Sequence, residues 1–214
     1  PALLPQNLGR LRKSAASEVI GKGRPLTQMS AFSAVLEDAQ VAALTEYIYQ
    51  PPTETPEWGL PEIRSSHIVH HKPGSLGDIP VFEADLQNLF IVVEQGDHHA
   101  TLLDGDRFEP IHRFKTRYAL HGGPKYSSDG RYVYFASRDG WISKFDIYNL
   151  EVVAEVRAGI NTRNAAVSFN NRYVAVGNYL PHSLVILDAV DLSPVVVLPM
   201  TDGAGTSSRV SAVY

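Results

Sequence analysis

The stretch RYVYFASRDGWISKFDIYNLEVVAEV, residues 131–156, reads as three short strands. Its runs RYVYFAS, ISKFD and LEVVAEV are rich in β-branched and aromatic residues and are parted by short polar turns. The same order lies on both sides of it. Upstream run NLFIVV (88–93), ATLLD and FEPIHRF; downstream run RYVAVG (172–177), LVILD and LSPVVVL. Each middle run closes on an aspartate, Asp104, Asp146 and Asp188, and 146 − 104 and 188 − 146 both give 42. A repeat of this length with about four short strands is the signature of a β-propeller blade. A β-sandwich with coincidental spacing is the alternative, but the threefold recurrence favours the propeller. A closed ring takes about four to eight blades, so the sequence is expected to stop part-way round one.

Residues 1–50 have a different texture. Ser14 is expected to cap a short helix running to Ile20, ended by the Gly-rich GKGRP. A second helix is expected from Glu37 and Asp38, with Val41, Leu44 and Ile48 on one apolar face. Residues 51–62, PPTETPEWGLPE, place four prolines in twelve positions and read as a stiff linker. The expected division is therefore a helical portion over 1–50, a linker over 51–62 and an incomplete propeller over 63–214.

Composition narrows the function. The 214 residues are 44% hydrophobic and 20% charged, as expected of a chain with a buried core, and the net charge is −4. That balance argues against a nucleic-acid or anionic-membrane surface. No apolar run approaches the roughly 20 residues of a membrane span, and Pro1 opens without the apolar stretch of a signal peptide. Cysteine is absent, which excludes disulfides, thiolate metal sites and a thiol nucleophile from this chain. No Ser-His-Asp elbow, P-loop or GxGxxG is present.

Several residues invite a chemical reading beside a plainer one. His121, in RYALHGGPK, is followed by two glycines that let a ligand approach the backbone, and its ring could ligate a metal; on a propeller connection it also reads as a surface residue. Arg138 and Arg163 are expected on connections, and with Lys125 and Arg209 they would bind carboxylates if they converged; solvated surface charge is the alternative. HIVHH places His67 and His71 on one face of a strand with His70 opposite, a weak zinc pattern. Met29, in a loop between helices, reads by default as core filler.

From Glu57 to Tyr214 the chain resembles the haem-d1 propeller of the cytochrome cd1 family. EWGLPEIR, LLDGDRFEPIHRF, RYALHGGPKYSSDGRYVYFASRDGWISKFDIYNLEVVAEVRAG, INTRNAAVS and SSRVSAVY carry the resemblance. The first 50 residues resemble the C-terminal half of a class-I cytochrome c, with RPLTQMSAF as the loop of the axial Met. The resemblance implies an eight-bladed propeller, of which about three blades are here. It implies His121 as the ligand of haem-d1 iron, Arg138 and Arg163 as holders of its carboxylates, Lys125 and Arg209 as further cofactor-binding cations, and Met29 as a ligand of haem c. HGGPK together with FASRDGW points to the haem-d1 biogenesis branch, and so to oxidation of a propionate of dihydro-haem d1 to acrylate, with electrons passed to haem c. A carrier without chemistry and a nitrite reductase are the alternatives. The base is expected to be a His or Tyr over the propeller axis, with His67 the candidate in this chain. A periplasmic location and delivery of haem d1 to the cytochrome cd1 nitrite reductase are further implications. One departure stands out: without CxxCH this chain cannot attach haem c covalently.

Overall fold

The computed structural model describes residues 3–27, 29–54 and 56–214. The chain divides into two compact units. Residues 1–56 with 95–97 form one, and residues 57–94 with 98–214 the other.

Among its described residues the first unit holds three helices, α1 (Pro5–Leu8), α2 (Lys13–Lys22) and α3 (Asp38–Tyr49). α2 starts one residue before Ser14, with Arg12 at the N-cap and no side-chain cap, so the expected Ser14 cap is corrected. It ends at Gly23, whose positive φ of 71° suits glycine. α3 begins with a reciprocal cap, in which the Gln40 side chain accepts from the backbone N–H of Glu37 at 2.9 Å. Its buried residues are Val41 and Thr45, one turn apart, while Leu44 is exposed. The apolar face is thus rotated from the expected one, and Thr45 enters it by turning its hydroxyl back to the Val41 carbonyl.

The second unit opens on α4 (Leu60–Ser65), inside the stretch expected to be linker and running past its end. Pro61 lies in the first turn, where a missing N–H costs nothing, and Ile63 is fully buried. Twelve strands follow: β1 (Ile68–Val69), β2 (Leu89–Glu94), β3 (His99–Asp104), β4 (Glu109–Lys115), β5 (Lys125–Tyr126), β6 (Tyr132–Ala136), β7 (Trp141–Asp146), β8 (Glu151–Arg157), β9 (Asn161–Val167), β10 (Tyr173–Leu180), β11 (Ser183–Asp188) and β12 (Pro194–Pro199). They form three antiparallel sheets, ordered β2-β3-β4, β1-β8-β7-β6-β5 and β12-β11-β10-β9. Only Ile68 and Val69 of HIVHH are strand, so the histidines flank β1 rather than alternate along it.

The repeat shows in the backbone. Asp104, Asp146 and Asp188 each accept the N–H two residues on, from Asp106, Tyr148 and Val190, a turn that needs a short acidic or amide side chain. Four residues after each aspartate the chain enters the left-handed region, at Phe108, Leu150 and Leu192, with φ of 58°, 59° and 66°. The middle sheet is covered on both faces. Val133 and Phe135 of β6 pack with Ala100, Leu102 and Phe145 against the first sheet. Tyr134 and Ala136 pack with Val174, Val176 and Val185 against the third. This two-sided burial explains why RYVYFAS is continuously apolar rather than alternating.

Candidate functional site

The sheets share an upper end, where β6 passes to β7 and β8 to β9. There three consecutive stretches of backbone are stitched together. His121 N donates to Ala136 O at 2.8 Å, Arg138 N to Ala119 O at 3.0 Å and Thr162 N to Arg138 O at 3.3 Å. His121, Arg138 and Arg163 therefore sit on neighbouring segments held at fixed spacing. Arg138 is on the β6–β7 connection, as expected. Arg163 is not on a connection: it is the third residue of β9. That strand, NTRNAAV, begins with polar residues and so lacks an apolar strand signature.

The side chains meet. His121 Nδ1 lies 3.0 Å from the backbone carbonyl of Arg163 and donates to it. That fixes the tautomer and leaves the lone pair on Nε2. Arg163 Nη1 approaches the same ring, 2.8 Å from Nε2 and 3.0 Å from Nδ1. Burial holds the imidazole below its ordinary pKa; the Arg163 carbonyl opposes this, and the charges of Arg138 and Arg163 add to the lowering. The ring is therefore neutral at neutral pH, the form that binds a metal. Gly122, with φ of 86°, lets the chain pass β9: a Cβ there would stand 2.9 Å from Asn164 Cβ.

Arg138 Nε is buried and makes no hydrogen bond among the described residues. An unpaired guanidinium donor is costly, and a carboxylate is the acceptor that suits it. A neutral His with its lone pair on Nε2, beside two arginines, one of them with a buried Nε that has no acceptor among the described residues, fits a metal-centred macrocycle bearing acid groups.

Lys125 lies four residues along from His121, on β5 opposite Tyr134. Arg209 is exposed, its guanidinium 4.9 Å from the Tyr179 ring centroid. The next residue, Val210, donates to Asn178 O at 3.1 Å, and Val213 exchanges hydrogen bonds with the Asn164 side chain. Arg209 thus belongs to the same upper end, beside β9 and β10.

His67 does not. Its Nε2 lies 2.6 Å from Asp191 O, in the turn between β11 and β12. Register places that turn at the end of the sheet where Asp188 faces Tyr173, whereas Thr162, next to Arg163, faces Asn178 at the other end. The expected grouping of His67 with the other residues is corrected. His70 and His71 instead face Glu155 and Glu151, and no set of three His, Asp or Glu able to hold a metal occurs among the described residues. Met29 lies in the first unit, in the loop between α2 and α3. Its N–H donates to Thr27 Oγ1 at 3.2 Å, and its carbonyl accepts from Arg24 N at 2.8 Å.

Asn178 went unread in the sequence. It is fully buried, donates from Nδ2 to Ala158 O at 2.8 Å and to Ser183 Oγ at 3.2 Å, and accepts from Thr162 Oγ1 at 2.6 Å. It ties the β8–β9 connection to Thr162, the residue before Arg163. The available signal was an amide in the otherwise apolar run YVAVGNYL.

Residues 84–214 match the family model described as the cytochrome D1 heme domain. The chain belongs to that family. As a cytochrome D1 heme domain protein it is 61% identical over all its 214 residues to the dihydro-heme d1 dehydrogenase of Pseudomonas aeruginosa, covering 43% of that protein. It is 28% identical over 170 residues to a nitrite reductase of Stutzerimonas stutzeri, covering 77% of this chain and 30% of that protein. The structure titled dihydro-heme d1 dehydrogenase NirN in complex with DHE superposes with a TM-score of 0.92 at 61% identity, over 100% of this chain and 46% of that one. The chain spans less than half the length of these relatives. Among the described residues no helix is long and apolar enough to cross a membrane.

Proposed function

We propose that this chain is the part of a dihydro-haem d1 dehydrogenase that grips the tetrapyrrole through its iron and its acid groups. The supporting observation is the join between His121 and Arg163, which orients a neutral imidazole with Nε2 as its lone-pair nitrogen, beside an Arg138 whose buried Nε has no acceptor among the described residues. The 61% identity to a protein of that name over the whole chain supports the same reading.

His121 would hold the iron from one side. Arg138 and Arg163 would hold carboxylates, with Lys125 and Arg209 adding positive charge at the same end. The bound tetrapyrrole supplies the reacting side chain and the conjugated system that loses electrons. Oxidation of a propionate to an acrylate removes two electrons and two protons, so a base and a one-electron acceptor are both required. The residues here contribute position: gripping the ring at the iron and at its acid groups fixes the side chain relative to any base.

Haem c is a separate matter. Without cysteine this chain does not by itself fit a covalently held haem c. In a longer parent with attachment residues, Met29 is the thioether that the helical unit would offer. Delivery of the product to a cytochrome cd1 nitrite reductase and a periplasmic location complete the proposal.

A carrier without chemistry is the second reading. It is favoured by the position of His67, which leaves no candidate base from the sequence beside His121. Incubating the full-length protein with dihydro-haem d1 decides between them. Conversion of the spectrum to that of haem d1, with reduction of the protein's own haem c, supports the dehydrogenase. Tight binding with an unchanging spectrum, even with an added one-electron oxidant, supports the carrier.

A further inference from the structure

The turn that carries Arg138 offers three consecutive carbonyls, and each accepts a hydrogen bond from the stretch 157–162. Thr162 N donates to Arg138 O at 3.3 Å, Arg157 Nε to Asp139 O at 2.8 Å and Ala158 N to Gly140 O at 2.8 Å. Two of these donors are backbone groups that almost any sequence supplies. The third is a side chain, and the residue that bears it is fixed in turn. The Arg157 guanidinium lies over the Trp58 ring, 4.5 Å from its centroid, a cation–π contact. Trp58 Nε1 donates to Arg157 O at 2.7 Å, and Arg157 N donates to Ser66 Oγ at 2.9 Å. Trp58 precedes Gly59, the N-cap of α4, and Ser66 is its C-cap, while the buried Ile63 between them anchors the helix in the core. α4 therefore clamps the end of β8, and Arg157 carries that clamp into the Arg138 turn.

The repeat makes this arginine informative. Register pairs Arg157 with Trp141, and at the same place in the neighbouring sheets Lys115 pairs with His99 and Pro199 with Ser183. A residue that the blade itself needs would recur, as Asp104, Asp146 and Asp188 do. Of the three sheets, the one whose turn bears Arg138 has the arginine. We propose that Arg157 is a positioning residue for carboxylate binding: braced on Trp58, it fixes the Asp139 carbonyl and with it the depth and aim of the Arg138 guanidinium. This deepens the reading of Arg138 as a carboxylate holder and rests on it. Arg138 Nε is buried and has no acceptor among the described residues, so no hydrogen bond of its own fixes that donor, and support through the backbone sets its place. A donor held ready spares the ligand the cost of ordering it. The consequence is preference for macrocycles that carry a free acid group over those in which it is masked.

The test uses the full-length protein, with dihydro-haem d1 and its carboxyl methyl ester as probes and fluorescence quenching as the measure of affinity. The wild type should bind the acid about tenfold or more tightly than the ester. Arg157→Gln should cut that preference by about fivefold, with ester affinity within about twofold of the wild type and the His-ligated spectrum retained. Trp58→Phe keeps a ring beneath the guanidinium but loses the Nε1 donor. It should fall between, and it decides the matter if the glutamine variant misfolds. Adding Arg157→Gln to Arg138→Ala should lower the preference no further than Arg138→Ala alone, since one residue acts through the other. Equal falls in acid and ester affinity, or additive losses in the double variant, would make Arg157 a support of the fold alone and overturn the proposal. A preference that falls in Arg138→Ala but in neither Arg157→Gln nor Trp58→Phe also overturns it and leaves the carboxylate reading standing. A preference that Arg138→Ala leaves unchanged overturns that reading, and the positioning role with it.

Discussion

Asn178 accepts the Thr162 hydroxyl at 2.6 Å across the β9–β10 pair, and its amide reaches the Ala158 carbonyl at 2.8 Å. One buried side chain thus fastens both flanks of the segment leading into Arg163. In Asn178→Ala the Thr162 hydroxyl and Ala158 carbonyl lose their partner in a dry setting, at about 1–3 kcal/mol. Thermal unfolding should show a melting temperature lower by about 2–4 °C per kcal/mol for a chain of this size. Tetrapyrrole affinity should fall as well, because Arg163 loses its support. A variant as stable and as tight-binding as the wild type would remove Asn178 from the site.

His121→Ala should abolish the His-ligated spectrum of the reconstituted full-length protein. Far-ultraviolet circular dichroism should stay unchanged, since the strands at this end are joined through backbone groups. A retained spectrum would mean that another residue binds the iron.

Arg138→Ala should weaken binding of the acid-bearing tetrapyrrole by about 10- to 100-fold, since a charge-assisted pair contributes roughly 1.5–3 kcal/mol. Lysine should not restore it, because its single ammonium cannot present a guanidinium Nε–H at the same depth. Titration followed by fluorescence quenching measures both. An effect below about twofold in Arg138→Ala and Arg163→Ala alike would return these residues to ordinary surface charge.

The repeated aspartates are equivalent in sequence but not in consequence. Asp188 caps its turn through the N–H of Val190 at 2.7 Å, and Asp188→Ala should cost about 1 kcal/mol. Asp146 also binds Tyr148 N, Asn149 Nδ2 and Arg131, whose Nη2 lies 3.0 Å away. Asp146→Ala should cost more, about 2–3 kcal/mol, because it removes the partners of Tyr148 N, Asn149 Nδ2 and Arg131 together, although Arg131 keeps Asp78 and Gly77 O. Urea unfolding of the two variants compares them directly; equal midpoints would contradict the difference.

Glu155 governs acid stability. Burial pushes its pKa up, but hydrogen bonds from Arg117, Ser143 and His70 outweigh this and hold it below the ordinary carboxylate value. A carboxylate depressed on folding adds stability that is fully present above its unfolded pKa, here 4.5, and lost as pH falls through the folded value. Stability should therefore decline below about pH 4.5, and Glu155→Gln should flatten that decline while costing about 1–2 kcal/mol at pH 7, a figure reduced for the partly exposed Arg117. Parallel acid limbs in the two proteins would assign the decline to other groups.

Legibility in the sequence followed chemistry that is local. The blade repeat could be read because a turn built on a side-chain oxygen demands Asp104, Asp146 and Asp188 at fixed places, and the strands between them bury both faces. β5 and β9 were not readable, since their polar composition reflects a position beside the site rather than in the core. α4 was hidden by Pro61, which forbids a helix interior but suits a first turn. HIVHH suggested a strand of alternating histidines, yet pairing with β8 holds only Ile68 and Val69, so the direction of His67 depended on a sheet edge 85 or more residues away. His121, Arg138 and Arg163 were recognisable as residues; the joining of His121 to the Arg163 carbonyl was not, because it requires the register of β9.

At Phe108, Leu150 and Leu192 one left-handed backbone path carries a phenylalanine once and a leucine twice. Backbone path and the capping aspartates together set the lower rim. The pieces 104–108, 146–150 and 188–192 share that path but not their surroundings: Phe108 is exposed, whereas Ile147, Ala189 and Leu192 are buried in the core. A foreign peptide could be spliced at the exposed Phe108, on the end away from His121, as a handle for a label or tether.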